Sequence, residues 1–451
     1  MSLTQRLFAV LLLLATNFAV TQSDNEKPWI NSRDAKINRE RGLIVLSRVK
    51  DEIKEYYYDP SFHGVDFNQI FNAAQEEING LQTNLDILDT IALTVQKLDD
   101  SHTMFLPPYR LDHVEYGFSL QMIGDKCYIV DVRKGSDAEA QGLKIGDVVV
   151  SVGDIATARN TLWKIQYFLY YLEHRRTLTL TVKKDDGSTR VIETHSRMFT
   201  ADEWRKELER RTKELKIAPE LKSVPYKCKE IGGDVIACKL YSFMESTGNI
   251  DDMMRKSVAG HKKLILDLRG NPGGLTDTAT HLIGYFFDHP VNIGTEVSRG
   301  HSKPLIAKNQ SSHEFGGDLI VLVDSRSASS SEMFARVMQI EKRGKVVGDV
   351  TAGMVMVARR FPLLTTRVGM ATLFGVEVTV ADLVMSDGQR LEGKGVVPDV
   401  AIVPTGRALA ETRDPILAYA AKMDGVQLPP EDAGKFYFIT RPPEPNPEEN
   451  P

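Results

Sequence analysis

The chain has 451 residues, enough for two or three domains, and its 42% hydrophobic and 26% charged residues match an ordinary globular protein. A formal net charge of −5 and the lack of a Lys/Arg run exclude a nucleic-acid partner. Three cysteines are too few for a disulfide scaffold and offer no zinc spacing, so neither a metal nor an organic cofactor is implied.

In chain order, Arg6 precedes the apolar run Leu7–Leu14, and small or polar residues continue to Ser23. Residues 1–23 therefore read as a signal peptide, with export to a periplasm or to the exterior. The run falls short of the roughly 20 apolar residues that span a bilayer, so no stable membrane span is expected after signal removal. Residues 34–105 read as a helical region: Leu46, Val49 and Ile53 share one face, Leu88, Ile91, Val95 and Leu98 another, with interruptions at Pro60 and Gly64.

From 113 to 197 the texture changes to short strands and turns, with a helix around 159–173 and closing strands at Thr177–Val182 and Thr189–Thr194. Residues 198–222 read as a charged helical connector. Over 223–423, strands at Val235–Leu240, Leu264–Leu268, Leu319–Val323 and Lys345–Gly348 alternate with helices at 275–287 and 331–341, an α/β layered pattern. Cys228 and Cys238 flank the turn Ile231-Gly232-Gly233-Asp234; they either pair in an oxidising compartment or stay as two buried thiols. The Pro-, Glu- and Asn-rich stretch 440–451 is expected to be disordered.

Two motifs carry the chemistry. Asp324-Ser325-Arg326-Ser327-Ala328-Ser329-Ser330-Ser331-Glu332 follows an apolar strand and opens a helix, where a serine is presented at a helix N-terminus that favours developing negative charge. Alone, such serines are also what helix N-caps look like. Leu264-Ile265-Leu266-Asp267-Leu268-Arg269-Gly270-Asn271-Pro272-Gly273-Gly274 runs a buried strand into a two-glycine turn, where amides can approach a substrate carbonyl without a Cβ in the way.

Together, D-L-R-G-N-P-G-G, S-x-S-A-S-S-S-E and G-K-G-V-V-P-D-V at 393–400 resemble the S41 family of C-terminal processing and tricorn-type serine peptidases. Tyr116-Gly117-Phe118-Ser119-Leu120, with A-Q-G-L-K-I-G-D-V-V after it, resembles the carboxylate-binding loop and second half of a PDZ domain. The resemblance implies a crotonase-like α/β catalytic core with an N-terminal helical region and an inserted PDZ β domain.

It also implies an exported endopeptidase acting on a protein or peptide substrate, with Ser329 as nucleophile and the amides of Gly274 and Ser330 as oxyanion hole. The same resemblance has Tyr116, Gly117, Phe118, Ser119 and Leu120 bind a peptide C-terminus, and it is compatible with an oligomer. Bacterial and plastid members use a Ser-Lys dyad, but Met354 stands at the lysine position and Ala358 at that of the supporting glutamine. Asp99-Asp100-Ser101-His102-Thr103 instead resembles the tricorn-like branch, implying His102 as general base, Ser101 as its partner and Glu392 as the supporting acid, with Asp387 a nearby competitor for that last role. The rival expectation is a catalytically inactive relative that holds peptides or other ligands.

Overall fold

The computed structural model describes residues 32–108, 112–172, 175–183, 187–214, 225–310, 314–367 and 370–436. The expected signal peptide, the end of the connector and the 440–451 tail lie outside these residues.

Helices α1 (Ser32–Tyr56), α2 (Phe67–Gly80) and α3 (Asn84–Gln96) open the fold. Their periodic apolar residues, Leu46, Val49, Ile53, Leu88, Ile91, Val95 and Leu98 among them, are buried as the spacing predicts. Asp66 and Thr83 cap α2 and α3 by accepting from backbone amides three residues on. A short strand β1 (Met104–Leu106) follows.

Strands β2 (Phe118–Ile123), β3 (Lys126–Val132), β4 (Val148–Val152), β5 (Thr177–Lys183) and β6 (Thr189–His195) form one antiparallel sheet in that order, with helix α4 (Arg159–Tyr167) between β4 and β5. Its apolar face has its own core of Leu120, Ile129, Val149, Ile165, Leu180 and Ile192. β2 and β6 are its edge strands. Helix α5 (Ala201–Glu214) leads out.

The rest is built on two sheets. Strands β7 (Tyr226–Gly232), β8 (Val235–Leu240) and β9 (Lys263–Asp267) are followed by helix α6 (Thr276–Ile283) and the hairpin β10 (Val291–Ser298) and β11 (His301–Ala307). Next come β12 (Asp318–Val323), helix α7 (Ser330–Ile340), β13 (Lys345–Gly348), β14 (Met356–Arg367), β15 (Met370–Met385), β16 (Val400–Ala401) and helix α8 (Pro415–Met423).

The six-stranded sheet runs β7-β8-β9-β12-β13-β16, parallel except for β7 against β8. β9 and β12 are covered on both faces, by α6 and α7 on one side and α8 on the other. Hence they are continuous apolar runs rather than alternating ones.

In the second sheet β15 pairs β1, β10 and β14, and α1 and α3 pack on it through Ile53, Ile91, Phe361, Val376 and Val378. The sequence reading does not include the long β14–β15 hairpin; it joins the N-terminal helices to the C-terminal half. Cys228 and Cys238 lie directly opposite across β7 and β8 and form a disulfide, which settles the two alternatives. Cys127 is a buried free thiol whose pKa burial pushes up to about 12.

Candidate active site

The buried strand β12 ends at Val323, and α7 starts at Ser330, so the intervening residues must turn tightly. Ser329 takes the strain, with φ 52° and ψ −116°, a region that costs a non-glycine residue about 1–3 kcal/mol. Its amide donates to the Met354 carbonyl at 2.9 Å and to Glu332 Oε2 at 3.0 Å.

The neighbouring serines are structural. Ser325 donates to the Met122 carbonyl, Ser327 to Leu268 at 2.8 Å, Ser330 to Gly274 at 2.9 Å and Ser331 to Asn271 at 3.0 Å. Among the described residues the Ser329 hydroxyl donates to no protein group, which sets it apart from the other four. It lines a cleft with Ser330, Met333, Val355, Leu383 and Glu296.

The glycine turn after β9 packs against this serine. Gly273 has φ 95°, and a Cβ there would lie 2.7 Å from the Ser329 Cβ. Gly274 has φ 143°, and its Cβ would lie 2.3 Å from the Met244 nitrogen. Both positions exclude any side chain. Neither the Gly274 nor the Ser330 amide donates to a protein acceptor among the described residues.

The turn is anchored from beneath. Asn271 donates to the Leu240 carbonyl at 3.1 Å and accepts from the Gly273 amide at 2.9 Å. Arg269, itself buried, forks onto Asp267 and Asp414, at 2.7 and 2.8 Å by its closest contacts. Burial opposes the charge on Asp267, yet Arg269 and Lys239 hold its carboxyl below the usual range. Asp414 also caps α8 through the Ile416 and Leu417 amides, which ties the terminal helix to the glycine turn.

Ser101 and His102 sit just before β1. Asp100 Oδ1 accepts from the His102 and Thr103 amides at 2.9 Å each and from the Thr379 hydroxyl at 2.6 Å, while Oδ2 accepts from Tyr57 at 2.9 Å. Ser101 Oγ lies 2.8 Å from His102 Nδ1 and hydrogen-bonds to Glu392. If Glu392 takes the Ser101 proton, the serine oxygen must accept from Nδ1–H, and Nε2 is left with a free lone pair.

Burial raises the Glu392 pKa, while the Ser101 bond, the Val355 amide at 2.7 Å and His102 pull it back. The competitor Asp387 is instead committed to Arg336. Met354 uses its backbone alone to bind the site, giving its carbonyl to Ser329 and its amide to Glu332 at 2.9 Å.

In the turn that leads into β2, Tyr116 is buried and donates to the Leu169 carbonyl at 3.0 Å, and Gly117 has φ 77°. The outer edge of β2 is engaged: Arg326 donates to the Leu120 carbonyl at 2.7 Å, Ser325 to that of Met122, and Gln121 to Asp324 at 2.9 Å.

Sequence reasoning passed over Glu332, Asp100, Asn271 and Asp324 as chemistry. The first was visible as the acid of an S-x-x-E helix start, and Asp100 as the neighbour of Ser101.

A half-buried serine at a strained strand-to-helix turn beside a glycine turn is an arrangement that nucleophilic acyl transfer could use. Residues 234–402 match peptidase family S41 and residues 115–194 match the PDZ domain. A probable CtpA-like serine protease of Staphylococcus aureus (strain N315) is 28% identical over 299 residues, which is 64% of this chain and 53% of that protein. The counterpart in Staphylococcus saprophyticus is 28% identical over 337 residues, covering 71% and 62%. The chain thus spans about half the length of the first of these curated relatives.

The solved structure of mature CPAF complexed with lactacystin superposes with a TM-score of 0.62 at 14% identity, covering 89% of this chain and 99% of that one. Mature CPAF alone gives 0.62 at 15%, covering 89% and 98%. That likeness shows the mixed α/β fold. Residues 234–402 are thus similar to peptidase family S41, and the PDZ-like stretch 115–194 lies ahead of them in the chain.

Proposed function

We propose that this protein is an exported serine endopeptidase that works with a Ser-His pair rather than a Ser-Lys dyad. One observation carries the reading: the segment Gly353–Val355 is hydrogen-bonded to the Ser329 turn on one side and to Glu392, hence Ser101 and His102, on the other. The Ser329 oxygen bonds to the scissile carbonyl carbon as its proton passes to His102 Nε2. The Gly274 and Ser330 amides take the resulting oxyanion. The C–N bond breaks as His102 protonates the leaving amine, and water, activated by the same ring, releases the acyl group.

The Cys228–Cys238 disulfide supports export, since such bonds persist in oxidising compartments. The PDZ domain takes a peptide C-terminus at Tyr116–Leu120, with β2 adding the peptide as a further strand. Arg326 and Ser325 hold carbonyls on that edge, so an incoming strand must displace them, and they lie just ahead of Ser329. Peptide capture and nucleophile geometry are thereby coupled.

Labelling with a fluorophosphonate probe and hydrolysis of unfolded casein test the reading. Ser329→Ala is expected to abolish both, and His102→Ala to lower them by at least about 10³-fold. Wild-type rates in either variant would overturn the Ser-His assignment, and absence of labelling and hydrolysis in the unmutated protein would favour a ligand-holding relative.

A further inference from the structure

The catalytic scheme above gives no task to the buried carboxylate of Glu332. Glu332 is fully buried in the first turn of α7 and has no cationic partner among the described residues. An unpaired carboxylate stripped of water is among the most costly groups to bury, and packing alone would be served better by an apolar residue. What it has instead is four donors. Oε2 accepts the amides of Ser329 at 3.0 Å and Met354 at 2.9 Å, and Oε1 accepts the Gly353 amide at 2.8 Å and the Thr351 hydroxyl.

Both oxygens are therefore acceptors twice over, which a carboxylate can satisfy and a carboxamide cannot. Thr351 is oriented for this role, because its own oxygen accepts the Val396 amide. The two segments joined in this way are the strained Ser329 turn and the irregular stretch just before β14 that bonds Glu392 through Val355.

We propose that Glu332 is a positioning residue that sets the spacing between the Ser329 turn and the Gly353–Val355 segment, and so between nucleophile and base. The inference rests on reading Ser329 and His102 as that pair. Glu332 touches neither substrate nor a reacting atom; it acts through the backbone amide of Ser329 and the backbone that orients Glu392.

The test is steady-state kinetics of Glu332→Gln on a fluorogenic peptide, with the rate of fluorophosphonate labelling of Ser329. The carboxamide keeps the volume and faces an N–H₂ toward two N–H or O–H donors. The expected result is a fall in kcat of about 10²-fold, the cost of a misplacement near 1 Å. KM should stay within about threefold and labelling should slow in parallel.

Thr351→Val removes one donor and keeps the volume. It is expected to lower kcat about tenfold, and it serves if the Gln variant does not fold. Unchanged kcat in a folded Gln variant, or a loss confined to KM, overturns the proposal. Hydrolysis that survives Ser329→Ala would instead overturn the nucleophile assignment itself.

Discussion

The two halves of the candidate site are built differently. The nucleophile side is almost all backbone: the Ser329 turn and the Gly273-Gly274 turn follow neighbouring parallel strands and lock together through serine hydroxyls and amides. The base side is held by side chains from far apart in the sequence, with Asp100 gathering Tyr57, Thr379 and the two amides that aim His102. The first half is thus sensitive to any added atom. The second is sensitive to any lost hydrogen bond.

Gly273→Ala should break the nucleophile side outright. Its Cβ meets the Ser329 Cβ at 2.7 Å on a backbone with φ 95°, so activity should fall by more than about 10²-fold. Stability should drop by about 2–3 kcal/mol, read from urea midpoints. A folded, fully active variant would show that the two turns are not tightly registered.

Asp100→Ala leaves four donors in a buried setting without their acceptor and should cost about 2–4 kcal/mol. It should also slow hydrolysis, while Gly273 and the Ser329 turn keep their protection from amide hydrogen exchange. Equal loss of protection in both halves would erase the distinction drawn between them.

Glu332 sharpens the comparison through pH. Burial, partly offset by its four hydrogen bonds, raises its pKa from 4.5 to about 7 in the folded state. The stability it contributes is then present below about pH 4.5 and lost as pH rises through about 7. Relative to Glu332→Gln, the wild type should lose about 3 kcal/mol between pH 4.5 and 8. A difference that is flat with pH would mean that the carboxyl is not buried as described.

Opening the Cys228–Cys238 disulfide should cost about 2–3 kcal/mol, as for other short loops. The loss should be confined to the edge of the six-stranded sheet, with kcat changed less than in any variant above. The smallest effect is expected for Arg326→Ala, which frees the Leu120 carbonyl on the PDZ-domain edge. Binding of a C-terminal peptide should tighten by a few fold while the basal rate stays within about threefold; weaker binding would show that Arg326 is part of the peptide site.

The nucleophile side was legible in the sequence because its logic is local. A buried apolar run, two adjacent glycines and a serine cluster ahead of a helix each state a backbone geometry within ten or so residues. The apolar periodicity of α1 and α3 and the hairpin around Gly232-Gly233 were readable for the same reason.

Other features depended on contacts between distant segments. Asp100 meets Thr379 only because the unforeseen β14–β15 hairpin lays the second sheet against the N-terminal helices. Asp414 meets Arg269 only because α8 covers the far face of the six-stranded sheet. The Ser-Glu pair at 331–332 states a helix start, but nothing local says that the glutamate is buried under four donors, two of them from residues 353 and 354. Sequence by itself determined where the chain turns and which faces are apolar, since those follow from backbone sterics and hydrophobic spacing. The tertiary structure alone decided which buried polar groups share partners, because those contacts exist only after the sheets have stacked.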